Sequence, residues 1–314
     1  MAERTMTAHR LRFREKHDTK GETKSPCDLD GENLVDIFES YCNSVLGEII
    51  QVKGTGSVVM VSDMDLSRRN AVIASVYCGK TGEPEKVFLP SRGVQTYSIT
   101  EEEAPMSYTR AVLMVPPRGE TALFFTEQCA RSRGAGILLR LFDTYFRHYS
   151  NTVYLDNVPI QEGRAWVEAA KALKKVEVQV YKKSGDRAER ESEEDYYYSF
   201  AKFAKKNKTF GPTTLRKILD DPDFADSIVG LKGADIADGE VIKKVKLKVV
   251  GRDGRSKEYR VGSSYGGATI REVLNGDEII MLDNDELFMR CMESAIDVSA
   301  QLRIEWSEDW FRKR

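Results

Sequence analysis

The sequence predicts an α+β protein of two lobes, and three observations carry that expectation. Short β-branched runs separated by glycine and proline turns fill the stretch from Glu48 to Glu127. Apolar residues at helical spacing frame that stretch on both sides. In the last third, aliphatic residues alternate with lysines on either side of an Asp-Gly turn, the pattern of a hairpin. The predicted architecture is a β-rich N-terminal lobe with a mainly antiparallel sheet. A second α+β lobe carries a lysine-rich helix, a hairpin and a long C-terminal helix.

Residues 1 to 30 mix charged side chains with Thr, Ser and Gly without an apolar period, and read as a flexible arm. From Glu32 onward, Leu34, Ile37, Phe38, Tyr41, Cys42 and Val45 form the buried stripe of a helix that Gly47 stops. Six strands follow at Glu48 to Lys53, Ser57 to Ser62, Ala71 to Cys78, Lys86 to Leu89, Tyr108 to Val115 and Thr121 to Glu127. Such short strands joined by tight turns pair with their neighbours. A helix over Gly134 to His148 buries Ile137, Leu138, Leu141, Phe142, Tyr145 and Phe146, and a short strand lies at Val153 to Leu155.

Next come a helix from Gln161 to Leu173, a half-exposed strand from Val176 to Tyr181 and a polar linker from Ser184 to Asp195. The linker divides a lobe of residues 31 to 183 from one of residues 184 to 314. Tyr196, Phe200, Phe203 and Ala204 predict a third amphipathic helix reaching Lys208, and Pro212 to Leu219 a shorter one with proline at its first turn. Lys244 to Gly262 is the hairpin. From Asp285 the residues Phe288, Met292, Ala295, Ile296, Ser299, Leu302, Trp306 and Trp310 run at a helical period. That predicts one helix of about 26 residues, roughly 39 Å long. Met292, Ile296, Leu302, Trp306 and Trp310 then suit a homodimer contact.

Composition narrows the chemistry. The 314 residues are 41% hydrophobic and 31% charged, and no apolar run approaches the roughly 20 residues of a membrane span. With no secretory-type apolar stretch near the first residues, a cytosolic protein is expected. Five scattered cysteines without a CxxC pair and three histidines give no basis for a disulfide framework, a zinc site or a Ser-His-Asp triad. No cofactor and no catalytic group is implied. Asp63-Met64-Asp65 and Asp283-Asn284-Asp285-Glu286 offer carboxylates for a metal, but the first sits in a turn and the second reads as helix N-cap chemistry. Glu177 stands on a strand without the E-x-K spacing of restriction-like nucleases.

Charge is segregated along the chain. Lysine and arginine total 48 against 50 acidic residues, a net of -2 that hides the distribution. Lys171 to Lys217 holds 13 basic and 7 acidic residues, and Val241 to Arg260 holds 8 and 2, each a net of +6. Arg271 to Trp310 holds 3 and 11, a net of -8. Lys202, Lys205 and Lys206 share one stripe of the expected helix, with Lys208 beside them and Arg216 and Lys217 on the next. Lys244, Lys246 and Lys248 share one strand face, with Arg252 and Arg255 at the turn. Rows of cations on a rigid frame suit the phosphate backbone of double-stranded DNA; the ordinary alternative is lysines that keep helices soluble and guard strand edges.

Two resemblances bear on function. Arg131-Ser132-Arg133-Gly134-Ala135-Gly136 resembles the Arg-x-x-Gly-x-Gly loop of GNAT-type N-acetyltransferases, which implies acetyl-coenzyme A held by backbone N–H groups at a helix N-terminus. The competing reading is a glycine turn feeding a core helix, with Arg131 and Arg133 solvated or meeting a nucleic-acid phosphate. The order of parts from residue 45 to 305 resembles the RexA-like phage-exclusion proteins. That likeness rests on the β-rich lobe, the strand, turn and helix from Ala122 to Phe146 and the pair from Arg164 to Tyr181. The Tyr196 to Lys208 segment, the hairpin and the final helix complete it. It implies a cytosolic, dimeric, non-enzymatic protein that binds double-stranded DNA without strong sequence preference. Its role would be antiviral defence, with a small membrane protein encoded nearby as partner. A protein-interaction module that touches no nucleic acid is the third alternative.

Overall fold

A computed structural model describes residues 4–16, 23–82, 84–129, 132–162, 172–182, 197–205, 208–231, 241–251, 256–261, 268–269, 271–274, 281–302 and 304–314. The protein is α+β, with antiparallel sheets. In chain order the first elements are β1 (Arg4–Glu15), β2 (Thr23–Lys24), α1 (Leu34–Ser44), β3 (Ile50–Val52), β4 (Ser57–Asp65) and β5 (Ala71–Lys80). Then come β6 (Glu85–Leu89), β7 (Val94–Ile99), β8 (Ser107–Met114), β9 (Thr121–Cys129), α2 (Gly134–Tyr149) and β10 (Val153–Pro159). They are followed by β11 (Gln161–Glu162), β12 (Ala172–Lys182), β13 (Tyr197–Phe203), α3 (Pro212–Asp220) and α4 (Phe224–Val229). The chain closes with β14 (Val241–Val250), β15 (Ser256–Val261), β16 (Ala268–Thr269), β17 (Arg271–Val273), α5 (Asn284–Leu302) and a 3-10 turn at Glu308–Phe311.

Two compact units result. The first joins Met1–Pro159 to Leu274–Arg314, and the second is Ile160–Val273. The expected division at residue 184 is therefore corrected: β12 pairs with both β13 and β14, so a cut there would split one sheet. The expected linker itself, 184–195, lies outside the described residues, as does most of the expected helix from 161 to 173.

In the first unit the strand order is β3-β4-β5-β8-β9-β1, and β10 also pairs with β1. The flexible arm expected over residues 1 to 30 is corrected by β1, which pairs with β9 from Arg4 to Arg12 and with β10 from His9 to Glu15. Leu11 and Phe13 point to one face, and Met6 and Ala8, two residues apart on the other phase, point to the opposite face; all four are buried. On the Leu11 face, α1 and α2 close a core through edge-on contacts of Phe38 with Phe124 and Phe142. Asn33 caps α1 by accepting the Val35 N–H at 2.9 Å.

The opposite face is covered by α5, whose Cys291 sulfur lies 3.2 Å from that of Met6. Asp283 and Glu286 form a capping box at its start: the Glu286 N–H donates to Asp283 at 2.8 Å and the Asp283 N–H donates to Glu286 at 2.9 Å. The expected 26-residue helix is corrected here, because α5 ends at Leu302 and the chain folds back. Trp306 donates its indole N–H to Met292 and stacks on Phe311, and the Trp310 carbonyl accepts from Asn70. Met292 is buried with Trp306 packed on it inside this chain, while Trp310 is half-buried, so the five residues do not form one continuous helical stripe. Leu302 is half-buried, and Ile296 alone of the five is exposed.

In the second unit the order is β13-β12-β14-β15-β17. Val176 and Val178 pair with Leu247 and Val245, and this apolar face is closed by Leu215 and Ile218 of α3 and Ala225 of α4. Tyr197–Phe203 is a strand, which corrects the expected lysine helix. Its aromatic run pairs with seven successive residues of β12, from Lys175 to Tyr181, and this ladder outweighs the helical spacing of Phe200 and Phe203.

Candidate nucleic-acid interface

The cross-strand register of the second unit decides which cations share a surface. Lys175, Glu177 and Gln179 alternate with the buried valines of β12, and pair with Lys248, Lys246 and Lys244 of β14 and with Phe203, Ala201 and Ser199 of β13. Members of both basic segments therefore meet on the face away from α3 and α4. The pair Lys175 and Lys248 sets like charges directly opposite each other, an arrangement that is unfavourable on its own.

Glu177 is the local counter-charge. Its carboxylate accepts from Lys175 at 2.5 Å, Gln179 at 2.7 Å and Ser199 at 2.8 Å, with the Lys246 ammonium at 4.0 Å. Burial pushes this carboxyl up, but the hydrogen bonds from Lys175 and Ser199 and the charges of Lys175 and Lys246 outweigh it and hold it below the usual glutamate range. The Lys175 ammonium also lies 5.2 Å from the ring centroid of Phe203, a side chain that is 67% exposed. Lys248 pairs in register with Glu258 of β15.

At the same end of the sheet the chain leaves β13 in a turn. The Lys208 N–H donates to the Lys205 carbonyl at 2.8 Å, and the Lys174 ammonium donates to the Lys208 carbonyl at 3.2 Å. Lys205 and Lys208 are exposed. Lys175, Lys246 and Lys248 thus share a face with Glu177 and Glu258, and Lys174, Lys205 and Lys208 lie at the turn beside it.

Other expected contacts fall elsewhere. Lys202 pairs with Val176, so it belongs to the opposite face, and the stripe expected for Lys202, Lys205 and Lys206 does not form. Arg216 and Lys217 lie on α3, on that same opposite side, with Lys217 5.3 Å from the Phe224 ring. Lys244 keeps its strand position opposite Gln179. Arg131, Lys206, Arg252 and Arg255 lie outside the described residues. Lys174, Lys175, the Glu177 network and Phe203 were not singled out as contacts in the sequence. Their signal was the alternation of Lys175, Glu177 and Gln179 with valines, which gains meaning only once β14 is aligned beside it.

The glycine loop of the first unit is packed rather than open. A Cβ on Gly134 would come within 2.8 Å of Thr109 Oγ1 and 3.0 Å of Cys78 Cβ, and that Thr109 hydroxyl oxygen already accepts the Ala135 N–H. Gly134 therefore serves the close approach of α2 to β5 and β8. Arg133 is exposed and makes no side-chain cap.

A groove of about 320 Å³ lined by Asp30, Glu32, Tyr149 and Thr152 has its carboxylates engaged: Asp30 with Lys24 and Thr152, Glu32 with Tyr149. Among the described residues no cluster of His, Cys, Asp and Glu is placed to hold a metal, and no helix is long and apolar enough to cross a membrane. A scan against protein-family models and a search of curated proteins found no match.

Proposed function

We propose that this is a non-enzymatic protein that binds double-stranded DNA through its phosphate backbone, using the lysine-bearing face and adjoining turn of the second unit. The observation that carries the reading is the direct pairing of Lys175 with Lys248, flanked by Lys246, Lys205, Lys208 and Lys174. Phosphates add counter-charge to these cations beyond that of Glu177 and Glu258, and each one neutralised releases counterions. The resemblance to RexA-like proteins adds the setting: a cytosolic role in excluding superinfecting phage, with a small membrane protein as partner. Acetyl-coenzyme A binding is the weaker reading, because Gly134 is turned into the core and Thr109 occupies the Ala135 N–H.

The test is the affinity for a short fluorescent duplex as a function of salt. Wild type is compared with Lys175→Glu/Lys248→Glu and with Lys205→Glu/Lys208→Glu. Each double variant is expected to flatten the slope of log K against log salt by about 2. A wild-type protein that binds no duplex at low salt would overturn the proposal in favour of an interaction module. Slopes unchanged in both variants would remove this face from the interface.

A further inference from the structure

The hairpin β6–β7 of the first unit exposes apolar surface that nothing in the described chain covers. All residues of β6 are exposed, as are all of β7 except the half-buried Ile99. Val87, Phe88, Leu89, Val94 and Tyr97 are each 40% or more exposed. The two strands pair only with each other, so among the described residues each keeps one unpaired edge. A lone two-stranded hairpin with open edges and large apolar side chains is a template for further strand pairing.

Its charges are polarised along its length. From Lys86 to Thr100 there are two basic residues, Lys86 and Arg92, and no acidic one. Arg92 sits in the tip, where its N–H and that of Gly93 donate to the Leu89 carbonyl. The root carries Glu85, Glu101 and Glu102, all exposed, and Glu103, which accepts from Tyr97 and from the Thr100 N–H. Five residues of strand span roughly 17 Å, so tip and root are separate patches.

We propose that this hairpin is the surface on which two copies of the chain associate, lying edge to edge and antiparallel about a two-fold axis. That alignment sets Arg92 of each copy against Glu101 and Glu102 of the other, so one complementarity is satisfied twice, as an isologous contact requires. It also brings Val87, Leu89, Val94 and Tyr97 of the two copies together. DNA fits the surface less well, because the root carboxylates repel phosphates wherever the tip attracts them.

Light scattering of the full chain reads the outcome. Wild type is expected at twice 35.5 kDa at micromolar concentration. Val87→Asp/Leu89→Asp is expected at the monomer mass with an unchanged circular-dichroism spectrum, since both side chains are exposed. Arg92→Glu should weaken association, and Arg92→Glu combined with Glu101→Arg/Glu102→Arg should restore it, because the exchange reverses both ends of the contact. A monomeric wild type would overturn the proposal. So would a dimer that survives Val87→Asp/Leu89→Asp, or a charge exchange that restores nothing. Loss of duplex binding in Val87→Asp/Leu89→Asp without any change of mass would assign the surface to DNA instead.

Discussion

The sheet of the first unit lies between α1 and α2 on one face and α5 on the other, whereas among the described residues the sheet of the second unit has helices on one face only. Charge is handled differently in the two. Beneath α5, Arg110 and Glu127 are almost fully buried and matched: Arg110 donates to Glu127 at 3.0 and 3.3 Å and to the Leu282 carbonyl at 2.8 Å, and Arg4 donates to Glu127 at 2.9 Å. Such a pair is tolerable only because its lone pairs and donors are met. On the lysine-bearing face of the second unit, cations outnumber carboxylates and like charges sit side by side. The closed set thus belongs to the sheet with helices on both faces, and the cation-rich face to the sheet that, among the described residues, has helices on one.

Breaking the closed set gives the largest expected effect. Arg110→Ala leaves Glu127 buried with Arg4 as its remaining partner, and should lower the free energy of unfolding by about 3 to 5 kcal/mol. Replacing both Arg110 and Glu127 with Met should recover much of that loss. Lys175→Ala in the second unit should cost less, about 1 to 2 kcal/mol, since its half-buried ammonium shares Glu177 with Gln179, Ser199 and Lys246. Urea denaturation measures all three, and equal losses for Arg110→Ala and Lys175→Ala would remove the contrast between the units.

The same contrast explains what could be read from the sequence. Strands with one buried face show a period of two, and β12 and β14 were visible for that reason, whereas β5, β8 and β9, buried on both faces, were visible as nearly continuous apolar runs. So were α1, α2 and α3, each with one apolar stripe. β1 was not, because Met6 and Ala8 are buried beneath one layer and Leu11 and Phe13 beneath the other, so the two phases cancel amid Arg10, Arg12 and Arg14. Its partner β9 is also more than a hundred residues away, beyond any local pattern. Tyr197–Phe203 read as a helix because its aromatic spacing fits one, and only the ladder with β12 decides otherwise. Trp306 and Trp310 continued a helical period by coincidence, while the chain reversed to bring Trp306 onto Met292. For the candidate interface, the lysines of β14 were legible, but the counter-charge that organises them comes from Glu177, about seventy residues earlier.

A second difference between the units is their response to acid. His9 of β1 lies between Asn157, 3.2 Å from Nδ1, and Thr126, 3.3 Å from Nε2, and burial lowers its pKa to about 4 despite the opposing hydrogen bond with Asn157. Above about pH 6.5 the ring is neutral in both folded and unfolded chains and contributes no pH dependence. Between 6.5 and about 4 the unfolded chain takes up a proton that the folded chain refuses, so stability falls as pH falls, by about 3 kcal/mol over the whole window. The histidines all lie outside 160–273, so the second unit has no such group. Unfolding free energies at pH 7 and pH 5 should converge in His9→Gln. A wild-type difference that persists unchanged in the variant would refute the assignment.

The smallest and most discriminating change is Glu177→Gln. The carboxylate has a depressed pKa, so its contribution to stability is complete above the ordinary glutamate value near 4.5 and is lost as pH falls through the lower folded value. At neutral pH the amide keeps an oxygen to accept from Ser199 and Gln179 but no longer offsets Lys175 and Lys246, and the stability loss should stay near 1 kcal/mol. The net charge of the face is then more positive by one. If these lysines meet phosphates, duplex affinity should rise at low salt, with a salt slope steeper by about 1, because the ammonium groups no longer have to leave a carboxylate before they contact DNA. Weaker binding would mean that Glu177 positions the lysines rather than competing for them. Unchanged binding would mean that the DNA passes along the Lys205 and Lys208 turn and leaves the sheet face untouched. The direction of this one small shift therefore tells whether the lysine-bearing face is a binding surface or only its surroundings.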